Sequence, residues 1–273
     1  MKLNDRIRQT IRQRNSLLCV GLDVTPERIP PHLMKNDDPI FRFNKQIIDA
    51  TADLVVAYKL NLAFYESLGS EGWNILKRTL SYIPEGILKI GDGKRGDIGY
   101  TAEKYAQGLF ALGFDIVTVN PYLGRDSIAP FIQDEKKGVF VLCLTSNPGS
   151  QNFQYLLFDG KSLYQRVAEK IVQWNEKGNC GLVVGATHPA ELREIRDIAP
   201  DLPFLIPGIG AQGGNLEASV LAGTDKEGEM AIINSSRGII YASDGKDFSN
   251  AARKEAVKLR DEINRFREKK EKG

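Results

Sequence analysis

The chain has 273 residues, a formal net charge of +2 at pH 7, 42% hydrophobic and 26% charged residues, and a sequence pI near 8.3. That balance excludes a disordered chain, and it leaves no global basic surface that would point to nucleic acid or an anionic membrane. A single domain over residues 1–273 is expected, because α/β barrels commonly occupy about 250 residues as one unit.

The first fifteen residues, MKLNDRIRQTIRQRN, carry four arginines and one lysine, and the apolar run that follows meets Asp23 after six residues. That is too short for a secretory leader. No apolar stretch approaches the ~18 residues of a spanning helix. A cytoplasmic protein that engages neither nucleic acid nor membrane is expected. Cys19, Cys143 and Cys180 lie in or at the start of apolar runs, and they read as buried reduced thiols.

Eight short apolar runs rich in β-branched residues follow in chain order: LLCVGLD (17–23), DLVVAYKLN (53–61), GILKIGDGK (86–94), DIVTVNP (115–121), GVFVLCLTS (138–146), GLVVGAT (181–187), PFLIPGIG (203–210) and MAIINSSRG (230–238). They read as strands buried on both faces. Pro26 to Pro39 is a proline-rich connection, and residues from Ala102 to Leu112 have helical spacing that Gly113 ends. The stretch 147–161, after the fifth run, reads as an unusually long loop and a lid candidate. From Phe248 onward, Ala252, Val257, Ile263 and Phe266 form the apolar side of a last helix whose charged face is solvated. Eight strands alternating with helices predict a parallel sheet closed into a (β/α)₈ TIM barrel.

Most of these runs begin apolar and end in a functional group: Asp23, Lys59, Asp92 with Lys94, Asn120, Ser146, Thr187 and Arg237. In a barrel such ends converge on one mouth, where barrel enzymes do their chemistry. Burying a charge without a partner costs several kcal/mol, so the charged ends carry the functional argument. The sharpest cluster is GDGKRGDIGYT, residues 91–101. Asp92 and Lys94 are two apart, so on a strand they point the same way. Asp97 follows in the turn. With Lys59 they give an alternating array of two ammonium and two carboxylate groups, a fixed field to present to a substrate. A salt-bridge network that merely closes the barrel end is the structural alternative.

The stretch from Asp92 to Ile98 resembles the Asp-x-Lys-x-x-Asp-Ile signature of orotidine 5′-phosphate decarboxylases. Gly21-Leu22-Asp23, Tyr58-Lys59-Leu60-Asn61, Ser146-Asn147-Pro148, the segment from Pro207 to Gly214 and Ser236-Arg237-Gly238 match in order. The resemblance runs from Leu17 to Tyr241, and the length and the 120–126 stretch look like the longer bacterial and archaeal subgroup. It implies decarboxylation of orotidine 5′-monophosphate without a cofactor. By resemblance, Lys94 stabilises and protonates the C6 carbanion, Asp92 lies near the departing carboxylate, and Asp23 and Lys59 bind the ribose hydroxyls. Asp97, Ile98 and Thr101 resemble residues that reach into a neighbouring subunit, implying a homodimer with shared sites. Ser146 resembles a serine that bonds the pyrimidine edge, and Gln212 a glutamine bridging phosphate and base. Pro207, Gly213 and Arg237 belong to the implied phosphate site, where glycine N–H groups, a helix end and a guanidinium fork suit an anion.

Three other readings compete with this one. Residues 208–213 also fit GxGxxG, but a dinucleotide domain needs several βα units after the motif, and one strand and a helix follow. The metal-dependent hexulose phosphate synthases and ketogulonate phosphate decarboxylases share the Asp-x-Lys-x-x-Asp pattern. They place a glutamate ligand where this chain has Lys59. A nucleotide-binding barrel without chemistry is the third, and the intact Lys59, Asp92, Lys94 and Asp97 argue against it. With two histidines, His32 and His188, and no cluster at ligand spacing, no metal site is expected.

Overall fold

The structure, a computed structural model, describes residues 1–35, 37–209 and 214–271. Eight parallel strands close into a barrel: β1 (Leu18–Gly21), β2 (Ala57–Asn61), β3 (Leu88–Arg95), β4 (Ile116–Val119), β5 (Gly138–Leu144), β6 (Cys180–Val184), β7 (Phe204–Ile206) and β8 (Ala231–Ser235). Each pairs with the next in the chain, and β8 returns to β1 with Leu18 opposite Ile233. The eight strands are those expected from sequence, each shorter than its apolar run. Five of them (β1, β4, β6, β7 and β8) are buried at every position, which is why they lack the alternation of a half-exposed sheet.

The surrounding helices are α1 (Leu3–Arg14), α2 (Pro39–Thr51), α3 (Gly69–Tyr82), α4 (Gly99–Ala111), α5 (Leu163–Trp174), α6 (Pro189–Ile198), α7 (Leu216–Gly223) and α8 (Phe248–Glu271). Helix α4 starts three residues before the expected stretch, and Gly113, at φ 106°, takes the left-handed conformation that stops it. After β4 the chain makes only a short turn, Arg125–Ile128, and a 3₁₀ segment, Ala129–Ile132. In α8, Ala252 and Ile263 are fully buried, and Phe248 stacks on Phe43 with ring centroids 5.0 Å apart.

Two elements depart from the sequence reading. The arginine-rich start is helix α1, whose Leu3, Ile7 and Ile11 recur every four residues and are buried. Backbone bonds from Leu3 and Asn4 to Glu135 and Gly178 seat it under β5 and β6. Arg8 reaches Asp225 and Glu229 at 2.8 and 2.7 Å beside β8, so α1 plugs the N-terminal end of the barrel. The expected loop 147–161 contains a 3₁₀ turn, Pro148–Asn152, and a hairpin pairing Leu157–Phe158 with Lys161–Ser162. Asp159 and Gly160, at φ 49° and 72°, form its two-residue turn. An Asp-Gly pair is the usual signal for such a turn.

Because Ile7 is 1% exposed, Ile7→Ala is expected to cost about 2–5 kcal/mol through lost burial and a residual cavity. Gln9→Ala, on the exposed side of the same helix, should change stability by less than about 0.5 kcal/mol. Urea unfolding of both variants measures the contrast; equal effects would mean that α1 does not seal the barrel.

Candidate active site

The C-terminal ends of the strands surround a cavity of about 540 Å³. Lys59 lies near the end of β2, is 4% exposed, and pairs in register with Ile90, two residues below Asp92. Two strand residues span about 6.6 Å, which a lysine stem can cover. Its Nζ accordingly lies 3.2 Å from Asp92 Oδ2 and 3.4 Å from Asp23 Oδ1. Lys94 Nζ meets the other Asp92 oxygen at 2.7 Å, and its side chain is 46% exposed toward the cavity it lines. Within one chain this makes an alternating array of two ammonium groups, Lys59 and Lys94, and two carboxylates, Asp23 and Asp92.

The array sets its own ionisation. Burial works against the Lys59 ammonium, but Asp23 and Asp92 outweigh it and hold the group above the ordinary lysine range. Burial would likewise raise Asp92; Lys59 and Lys94 overcome it and bring the carboxyl down to about 2. Asp92 is therefore a carboxylate and Lys59 an ammonium across the neutral range.

The Asp92–Lys94 contact does not arise from simple strand alternation. Gly91 pairs with Val117 and Arg95 with Val119, so three residues of β3 bulge opposite the single Thr118. Lys94 sits in that bulge at φ 47°, a left-handed conformation uncommon outside glycine. Thr118 pins it: its hydroxyl accepts the Lys94 backbone N–H at 2.8 Å and donates to Asp92 Oδ1 at 2.9 Å. Thr118 is not among the residues expected from sequence, although a hydroxyl inside the apolar run DIVTVNP is a visible signal.

Ser146 lines the cavity after β5, and Pro207 and Gly208 line it after β7. Gly208, at φ 102°, turns the backbone where a side chain would be strained. Arg237 lines the cavity after β8, is exposed, and has no carboxylate partner among the described residues. Gly21 lets this corner close, since a Cβ there would stand 1.8 Å from Ser236 Oγ. Gln154 folds the long loop back by accepting from Thr145 N at 2.8 Å, and with Asn147 it forms part of the cavity wall.

Asp23, Lys59, Asp92, Lys94, Ser146, Pro207 and Arg237 are thus brought together. Asp97, Ile98 and Thr101 do not line the cavity of this chain. Asp97 accepts from Ile98 N at 2.8 Å at the head of α4, and Ile98 and Thr101 are exposed. Gln212 and Gly213 lie outside the described residues. Asn120 and Thr187, expected at the mouth as strand ends, do not line the cavity either; the Asn120 side chain instead accepts from Tyr122 N in the following turn. No group of three or more His, Cys, Asp or Glu side chains among the described residues is placed to hold a metal ion. Cys19, Cys143 and Cys180 are buried and free.

Comparison with known proteins bears on this geometry directly. The orotidine 5′-phosphate decarboxylase / HUMPS family matches residues 16–252. The chain belongs to that family. It is 49% identical to an orotidine 5′-phosphate decarboxylase of Dehalococcoides mccartyi, over 98% of this chain and all of the relative. The Herpetosiphon aurantiacus enzyme of that name is 50% identical over 92% of this chain and 94% of its own. Among solved structures, Leishmania donovani OMP decarboxylase superimposes with a TM-score of 0.86 at 40% identity, covering 98% of this chain and 99% of that one. The L. donovani UMP synthase gives 0.88 at 42%, with 98% of this chain covering 57% of that longer chain. As a member of the orotidine 5′-phosphate decarboxylase family, the chain is an enzyme with the barrel of its relatives.

The depressed Asp92 pKa makes a stability prediction. Its contribution is present above the ordinary carboxylate value of 3.8 and is lost as pH falls through about 2. The stability difference between wild type and Asp92→Asn should therefore change by on the order of 2 kcal/mol between about pH 5 and pH 2. Denaturant unfolding at each pH measures it. A constant difference would mean that the lysines do not hold Asp92 ionised.

Proposed function

We propose that this chain converts orotidine 5′-monophosphate to uridine 5′-monophosphate and CO₂, in pyrimidine biosynthesis, without metal or cofactor. The observation that carries the reading is Asp92 fixed between Lys59 and Lys94 on the wall of a cavity sized for one small molecule. Near full-length relatives named for this reaction support it. The ammonium of Lys59, where the related metal-dependent enzymes need a glutamate ligand, favours it over that half of the family.

The reaction breaks the C6–carboxylate bond, leaving the electron pair on C6 as CO₂ departs. That carbanion lies in the ring plane with no π-system to spread it, so stabilisation must come from a fixed positive group. Lys94 supplies the ammonium and then its proton to C6, and solvent reprotonates the amine. Asp92 holds Lys94 charged and aimed, beside the space of the departing carboxylate. Asp23 and Lys59 bind the ribose hydroxyls, Ser146 the pyrimidine edge, and Pro207, Gly213 and Arg237 the phosphate, with Gln212 bridging phosphate and base.

Asp97, Ile98 and Thr101 act in a second copy of the chain, so the working unit is a homodimer with shared sites. Their exclusion from this chain's own cavity supports that, as do the exposed Ile98, Tyr100 and Tyr122 at 58%, 70% and 87%. Such large apolar side chains at one end of the barrel suit a protein interface.

Turnover is tested by the loss of orotidine monophosphate absorbance and by CO₂ release with EDTA present; a strict Mg²⁺ requirement would favour the metal-dependent lyases instead. Lys94→Ala is expected to abolish turnover while still binding uridine monophosphate, because its ammonium acts on charge that exists only in the transition state. Mixing inactive Lys94→Ala and Asp97→Ala proteins should restore activity, since one site of each heterodimer then keeps both residues. No recovery despite subunit exchange would return Asp97 to its own chain's site.

Arg237→Ala is expected to lower kcat/KM severely although the phosphate lies away from the scissile bond. A charge-assisted contact contributes on the order of 2–5 kcal/mol, roughly 30-fold to several thousand-fold. With orotidine lacking its phosphate, wild type and variant should differ little. Equal impairment on both substrates would remove Arg237 from phosphate binding.

A further inference from the structure

We infer that Thr118 is a positioning residue for Lys94 in the reaction proposed above, an inference that rests on that reading of the site. Thr118 is 1% exposed, so its hydroxyl is closed to solvent. Both of its bonds go to the reacting cluster: it accepts the Lys94 N–H and donates to Asp92 Oδ1. That same carboxylate oxygen receives the Lys94 ammonium. The result is a closed circuit running from the Lys94 backbone through Thr118 and Asp92 to the Lys94 Nζ. One hydroxyl on a neighbouring strand therefore holds both ends of a single lysine.

The circuit matters because Lys94 sits in the irregular part of β3, between the pairing of Asp92 with Asn61 and that of Arg95 with Val119. The bulge removes residues 92–94 from register with β4, and Lys94 is in a left-handed conformation that its Cβ disfavours. A residue in such a conformation persists only where its surroundings over-determine it. Thr118 supplies such a contact by accepting the Lys94 N–H at 2.8 Å.

Removing the hydroxyl without changing side-chain shape isolates this role. In Thr118→Val the Lys94 N–H and Asp92 Oδ1 each lose a partner, while Arg237, Ser146 and Asp23 keep their places. Ammonium placement is felt in the transition state and ground-state binding is not, so kcat should fall and KM should hold.

The test compares wild type, Thr118→Val and Thr118→Ser on orotidine monophosphate. Thr118→Val is expected to lower kcat by about 10- to 100-fold, as for a displaced catalytic group, with KM within about threefold. Thr118→Ser, which keeps the hydroxyl, should recover kcat to within about threefold of wild type. If the valine variant does not fold, Thr118→Ala, which likewise removes the hydroxyl, makes the same comparison against Thr118→Ser. Wild-type kcat in the valine variant overturns the inference. So does a serine variant as impaired as the valine, or a KM that rises in step with the loss, since either outcome marks a packing role. A wild-type protein that releases no CO₂ removes the reading of the site, and this inference with it; an active wild type with an indifferent Thr118 removes this inference alone.

Discussion

An ammonium held almost out of water at the inner end of β2 is the constraint on which the mouth of this barrel depends. Transfer of such a charge from water costs several kcal/mol unless opposite charges meet it at close range. Lys59 is met on two sides, by Asp23 from β1 and Asp92 from β3. Three neighbouring strands must therefore end at particular heights, and their register delivers that: Gly21 opposite Lys59, and Lys59 opposite Ile90. Once Asp92 is committed to Lys59 through one oxygen, its other oxygen is free to receive Lys94 and Thr118. The position of the half-exposed lysine is thus inherited from the buried one.

The two ends of the barrel solve different problems. At the N-terminal end the charges are structural: Asp115 is paired by Arg6 and Lys137, and Glu229 by Arg8 and Arg12. Among the described residues no carboxylate lies at bonding distance from Arg196; it donates to the carbonyls of Ala199, Pro200, Leu202, Gly223 and Met230, and burial pulls its pKa down to about 9. These groups tie loops and helices together far from the cavity. At the C-terminal end, Lys94 and Arg237 instead keep exposure to the cavity and leave bonding capacity for a ligand. That polarity is the usual division of labour in such barrels, stability at one face and chemistry at the other.

The long segment after β5 belongs to the site in spite of its length. Gln154 is tied to both the backbone and the hydroxyl of Thr145, and Tyr155 donates to Glu191 at 3.1 Å while packing edge-on against Tyr164. Its base is therefore anchored to the barrel, whereas Phe153, Leu157 and Phe158 at its far end are more than 60% exposed.

The eight strands, the closing of α4 at Gly113 and the polarity of the last helix were legible in the chain, because each depends on local rules: apolar runs, a positive-φ glycine and a periodic stripe. So were Asp23, Lys59, Asp92 and Lys94, since a charge inside an apolar strand must find a partner wherever the strand lies. Helix α1 was legible too, in the four-residue recurrence of Leu3, Ile7 and Ile11 among its arginines. Local rules could not say that Asp23 would flank Lys59 opposite Asp92; barrel closure, which brings β1 beside β2, decides that. Nor could spacing reveal that Asp92 and Lys94 meet across a bulge instead of along a regular strand. That depends on Thr118, 24 residues further along the chain. Residue type and local pattern decide which groups must be paired. Register and closure, which couple distant strands through their backbone bonds, decide with whom.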